Sequence, residues 1–182
     1  MRRLVVVLIL VIASALWGVT KAGGQPAPAA PAADGGGLRA DFNGDGFADL
    51  AVGAPLEDVG TIFNAGAVHV LYGSAGKLTG AGSQLFTQDS PAVGSATERG
   101  DLFGAALAAE DFNHDGLTDL AVGAVFEDVG TILDAGAVNV LYGASTGLTG
   151  VGSQYFTQDS PRVGSSAEEG DFFGDALAGS GP

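Results

Sequence analysis

The chain has 182 residues, no cysteine, and 21 acidic against 7 basic side chains, a formal net charge of −14. A surface of that sign repels nucleic acid and anionic lipid and attracts cations, although part of it is ordinary solvated charge. The lack of cysteine excludes both a disulfide framework and a lipid-modified cysteine anchor, so an exported domain of this size would need another staple, for which a metal is the candidate.

Arg2 and Arg3 precede an apolar run of 16 residues from Leu4 to Val19, and Thr20 and Ala22 fit the minus-three and minus-one positions of a cleavage site after Ala22. Residues 1–22 therefore read as a secretory signal peptide, which places the protein outside the cell, free or at the cell surface. An uncleaved anchor is the alternative, but the run is shorter than the roughly 20 residues that span a bilayer. With Arg2, Arg3 and Lys21 removed, 4 basic and 21 acidic residues remain, a charge of −17. Residues 23–37, GGQPAPAAPAADGGG, read as a flexible, partly extended linker that cannot bury a core.

Beyond the linker the chain repeats. Residues 41–107 laid on 111–177 agree at 47 of 67 positions without a gap, a period of 70. The repeats are taken as 38–107 and 108–177, with 178–182 the start of a third. GGGLRA stands where GAALAAE would be in the first copy, and the chain stops before a third acidic loop. Each copy opens on an acidic loop, DFNGDGFAD at 41–49 and DFNHDGLTD at 111–119. Strands are then expected at 50–54, 66–73 and 84–88, at 103–109, and again at 120–124, 136–143 and 154–158, with FGDALAG at 173–179 as the third-copy partner of 103–109. Glycine and Asn/Asp cluster between these segments, and 31 glycines argue against a helical fold. About four short strands per period is the size of one β-propeller blade. The unbroken apolar runs around Val52 and Val122 suit strands buried on both faces between blades. The fold expected is all-β, an incomplete propeller of about two blades, with a β-sandwich or β-solenoid as the runner-up.

The acidic loops read as calcium sites. Calcium takes six to eight oxygens, and alternate positions 1, 3 and 5 of a coiled loop turn theirs to one side. The candidates are Asp41, Asn43, Asp45, the Phe47 carbonyl and Asp49 for one Ca²⁺, and Asp111, Asn113, Asp115, the Leu117 carbonyl and Asp119 for a second. Gly46 and Gly116 at position 6 allow the sharp turn; Gly44 and His114 at position 4 point away. An EF-hand is excluded, because position 12 is Val52 or Val122 instead of a bidentate Glu, so the ninth-position Asp must supply the last side-chain ligand. The alternative is an Asp/Asn/Gly turn without an ion, in which three carboxylates would repel one another.

With Phe103-Gly104 followed by DFNHDGLTDLAVGA, and with Gly53-Ala54-Pro55 closing DLAVGAP, the chain resembles the FG-GAP repeat, the blade unit of integrin α-subunit propellers and of many secreted bacterial proteins. Val125 replaces the proline in the second copy. The resemblance covers Leu38 to about Gly179. It implies a propeller blade whose calcium loop joins the inner strand to the next, and extracellular adhesion or ligand binding, with an unidentified protein or glycan as partner on the face opposite the calcium loops. Such propellers close with about seven blades. Two repeats leave open edges that invite pairing with other chains, so either copies assemble or the sequence is a truncated piece.

Catalytic patterns are missing. There is no G-x-S-x-G elbow, Gly76-Lys77 lacks the phosphate-loop spacing, there is no His-rich zinc spacing, and His69 and His114 are Asn139 and Gly44 in the other copy. Glu57-Asp58 and Glu127-Asp128 recur after the Gly-Ala strand and read as a solvated loop, with a second cation or a partner contact as the alternative. The function expected is a secreted, calcium-binding, non-catalytic adhesion or interaction module. A fragment of a longer propeller and an accessory part of a secreted hydrolase are the competing readings.

Overall fold

A computed structural model describes residues 40–179. The expected signal peptide, the whole linker at 23–37 and all of GGGLRA except Ala40 lie outside the described residues.

Seven strands follow one another: β1 (Leu50–Ala54), β2 (Ala67–Tyr72), β3 (Thr79–Phe86), β4 (Phe103–Glu110), β5 (Asp119–Ala124), β6 (Ala137–Tyr142) and β7 (Thr149–Phe156). They form two sheets, β1-β2-β3 and β4-β5-β6-β7, each antiparallel and each in chain order. An antiparallel meander per period is a propeller blade and not a turn of a parallel solenoid. The described residues contain no helix. Registers repeat with the sequence: Val52 faces His69 as Val122 faces Asn139.

The third strands are longer than the sequence suggests. Both begin five residues before the expected Gln, on TGAGS and TGVGS, because a bulge absorbs the glycines: Val70 pairs with Gln84 but Tyr72 with Thr79. Gly82 and Gly152 sit there at φ +74° and +78°, which L side chains rarely adopt.

The expected strand at 173–179 does not form; it is a turn and irregular chain. Its counterpart β4 is a strand because it pairs with β5 from Phe103–Ala124 to Glu110–Asp119. No described strand offers 173–179 that ladder. The segment still docks as β4's start does: Phe173 N–H donates to the Ala135 carbonyl at 2.9 Å, as Phe103 N–H does to Ala65 at 2.9 Å.

The blades stack face to face. Val68, Val70, Tyr72 and Phe86 of the first pack with Leu107, Leu120, Val122, Leu141 and Leu148 of the second into one buried cluster. β5 is buried along its whole length, whereas β1, its homologue, is mostly half-buried. At the centre the backbones touch. A Cβ on Gly53 would lie 2.1 Å from the Gly104 carbonyl oxygen, and one on Gly123 would lie 2.2 Å from that of Gly174. The Phe-Gly near the end of each repeat is thus seated against the Gly-Ala strand of the same repeat.

Candidate functional site

Both acidic loops fold alike, and side-chain oxygens taking backbone N–H groups define them. In the first, Asp41 accepts from Asp45 N–H (3.1 Å) and Gly46 N–H (2.9 Å), and Asn43 Oδ1 accepts from Asp45 N–H (3.0 Å). Asp45 Oδ1 accepts from Phe47 N–H (2.9 Å), and its Oδ2 takes the Asn43 amide (3.0 Å). In the second the same five bonds run between Asp111, Asn113, Asp115, Gly116 and Leu117 at 2.8–3.1 Å. Gly46 and Gly116 carry φ +84° and +90°, so the sixth position needs glycine; position 4 is also left-handed, at +71° for Gly44 and +61° for His114. Phe47 is exposed and Leu117 half-buried.

The structure thus brings positions 1, 3 and 5 together. Position 9 is used differently. Asp49 is buried and accepts Phe42 N–H and Gly73 N–H, each at 2.8 Å; Asp119 accepts Phe112 N–H (2.9 Å), Asn113 N–H (3.3 Å) and Gly143 N–H (2.9 Å). The carboxylate ties its loop to the turn after β2 or β6, a partner 24 residues away. As the side chains stand, no three acidic or imidazole groups among the described residues are gathered around one point.

The chemistry of the loops still fits a hard divalent cation. Every side-chain donor is an oxygen, and each carboxylate oxygen that takes one N–H keeps a second lone pair. The charges also feel one another. Burial holds the Asp49 carboxyl above its ordinary value against its backbone hydrogen bonds, and Asp41 and Asp45 push it the same way; burial does so for Asp119, with Asp115 adding to it. A cation would relieve that repulsion.

A second polar cluster, which the sequence did not reveal, closes the contact between the blades. Glu127 is buried, not solvated as its loop position suggested, while its homologue Glu57 is exposed. The Glu127 carboxylate accepts the Gln88 amide and the Tyr155 hydroxyl, and Gln88 also reaches Ser95 Oγ. Asp101 is buried alongside. Burial first, then the neighbouring Asp101, pushes Glu127 up to about 7; burial, with Glu98 and Asp128 nearby, pushes Asp101 up to about 6. Burial and Glu127 also raise the Tyr155 hydroxyl. The solvated-loop reading thus fails for Glu127, which is buried against the first blade of its own chain, and holds for the exposed Glu57. Asp128 instead accepts Asp134 N–H within its own loop, as Asp58 accepts Asn64 N–H.

Both acidic loops and the Phe103-Gly104 seat lie within the segments that match a known repeat. The model of the FG-GAP repeat covers residues 37–71 and 103–141. The chain carries FG-GAP repeats. Among similar proteins, phosphatidylinositol-glycan-specific phospholipase D of Rattus norvegicus is 40% identical over 108 residues, 59% of this chain and 13% of the relative. Integrin alpha-PS5 of Drosophila melanogaster is 35% identical over 115 residues, 63% of this chain and 10% of the relative, and integrin alpha-11 of Homo sapiens 38% over 86. The chain thus spans about a tenth of the length of the relatives it matches. No helix among the described residues is long and apolar enough to cross a membrane.

Proposed function

We propose that this chain is an exported, non-catalytic interaction module whose FG-GAP blades each take one calcium ion in their acidic loop. Asp41, Asn43, Asp45, the Phe47 carbonyl and Asp49 would hold one ion, and Asp111, Asn113, Asp115, the Leu117 carbonyl and Asp119 the other. The bound ion would cross-link a loop that otherwise carries three unneutralised carboxylates. The observation that carries the reading is the matching five-bond fold of both loops, in which backbone N–H groups order the oxygens of positions 1, 3 and 5. The acidic, cysteine-free composition and the signal-like leader support export. Against catalysis, the strongly perturbed carboxyl of Glu127 is closed off by Gln88 and Tyr155, and both histidines are exposed at positions the other repeat does not share.

Calorimetric titration with calcium, together with thermal melts in calcium and in chelator, tests this. At millimolar calcium and a dissociation constant near 10⁻⁴ M each site adds roughly 1.4 kcal/mol. Asp45→Ala and Asp115→Ala should each remove one site's heat and about half of the calcium-dependent rise in melting temperature. No heat and an unchanged melt in saturating calcium would overturn the proposal.

A second reading rests on the relatives' lengths. In them the matched segment is about a tenth of the protein, so the same blade pair could act as part of a larger propeller or beside a hydrolase domain. The calcium measurement reads the loops in either case.

A further inference from the structure

The two repeats are nearly the same sequence, yet homologous residues differ sharply in burial, and the differences fall on opposite faces. On the first blade Phe42, Tyr72, Phe86 and Gln88 are buried against the second blade; their counterparts Phe112, Tyr142, Phe156 and Gln158 on the second blade are exposed or half-buried. Conversely Leu148, Glu127 and Asn139 of the second blade are buried against the first, while Leu78, Glu57 and His69 are exposed. Phe42 is 0% exposed and Phe112 40%; Leu148 is 2% exposed and Leu78 43%. Among the described residues the pair therefore carries, largely uncovered, one copy of each half of an interface that it also shows assembled; on the second-blade half Phe173 and Leu177 pack beside Tyr142 and Phe156.

Its assembled form is specific. Tyr72 Oη accepts Leu148 N–H at 3.0 Å, Gln84 Nε2 donates to the Leu148 carbonyl at 3.0 Å, Gly94 N–H donates to Asn139 Oδ1 at 3.2 Å, and the Gln88 amide donates to Glu127. Phe42 is covered where Thr118 N–H and Ala144 N–H reach the carbonyls of Asp41 and Phe42. The uncovered second-blade face keeps Tyr142, Gln154, Gln158 and Gly164 for these roles, and the uncovered first-blade face keeps Leu78 and Glu57. Gln158 Oε1 is buried without a partner. Five positions differ, with Ala48, His69, Lys77 and Leu85 standing for Thr118, Asn139, Gly147 and Tyr155, and Arg162 for Ala92; the Glu57 contact would lack the tyrosine hydroxyl, and the Lys77 side chain must turn aside from Tyr142, since a Cβ on Gly147 would lie 2.1 Å from the Tyr72 hydroxyl.

We propose that the occupant of these faces is a second copy of this chain, docked head to tail: the second blade of one copy stacks on the first blade of the next, with Gln158 against Glu57 and Tyr142 over Leu78. The contact is between sheet faces and not, as the sequence suggested, between unpaired strand edges. Because the two faces are different surfaces the association is heterologous, and it closes into a ring or runs on according to the step between blades.

The test is light scattering on a sizing column with the full chain at about 100 µM, and two variants chosen on opposite faces at sites that are solvent-accessible in one copy. Leu78→Arg sets a charge into the first-blade face; Gln158→Glu sets a carboxylate opposite Glu57 and beside Asp171. The wild-type chain should run as more than one copy and each variant alone as a single copy. An equimolar mixture of the two should give dimers and nothing larger, since only one intact junction can form per pair. A single-copy wild-type chain, variants that assemble as the wild type does, or a mixture that stays single would each overturn the proposal. Melting curves establish that both variants fold; if Leu78→Arg does not, Leu85→Arg, on the same face and 56% exposed, replaces it.

Discussion

Replacing Glu127 by glutamine should make the protein more stable, and only at the higher end of the pH range. The carboxylate is buried between blades without a basic partner; Asp101 and Glu98 face it, and its hydrogen bonds come from the Gln88 amide and the Tyr155 hydroxyl. Its folded value of about 7 lies above the ordinary 4.5. For a raised acid, the folded state holds the proton more tightly than the unfolded one. The contribution is therefore complete below about pH 4.5 and lost as the pH rises through 7. At pH 8 the charged group costs the fold on the order of 3 kcal/mol, and at pH 5 under about 1 kcal/mol. The amide is neutral throughout. Its oxygen can still accept from Tyr155, and once the Gln88 amide turns over, the new N–H meets Gln88 Oε1, which is buried and unpartnered in the native protein. Glu127→Gln should thus raise the melting temperature at pH 8 by about 6–12 °C, and by far less at pH 5. Paired thermal melts across pH 5–8, in chelator so that the acidic loops stay metal-free, measure this. A variant no more stable relative to the wild type at pH 8 than at pH 5 would refute the reasoning.

Two further outcomes follow from the geometry. Gly123→Ala should cost about 1–3 kcal/mol in urea unfolding, because its Cβ would stand 2.2 Å from the Gly174 carbonyl oxygen; Gly76→Ala, where a Cβ meets nothing within 4 Å, should change little. Asp119→Asn should cost about 1–3 kcal/mol in chelator, since one of its two oxygens becomes a donor facing a backbone N–H; unchanged unfolding there would mean that its ties to Phe112 and Gly143 contribute nothing.

The strands around Val52, Val70, Val122 and Val140 were legible because short apolar runs between glycine-rich turns leave little choice of structure. The loops were legible because Asp, Asn and Gly at fixed offsets dictate local hydrogen bonds. What the sequence hid lies across blades. Glu57 and Glu127 have identical neighbours from Glu-Asp to Gly-Thr-Ile, yet one is exposed and the other buried, because burial depends on which blade stands opposite. The same holds for 173–179, which repeats the pattern of β4 and lacks only the partner strand that would make it β4. Asp119 read as a metal ligand alone, because Gly143, whose N–H it accepts, is far along the chain. The strand starts at Thr79 and Thr149 were obscured by glycines that weaken a strand's signature while making its bulge.

The contact of Gly53 with Gly104, and of Gly123 with Gly174, has a mechanical consequence. Where blades meet through side chains, their spacing can drift as rotamers shift and residues change size. Here two main chains rest directly on one another, with nothing compressible between them. The angular step from blade to blade is set by a hard stop at its centre. Substitution elsewhere on the faces can alter how strongly blades adhere while leaving their pitch unchanged.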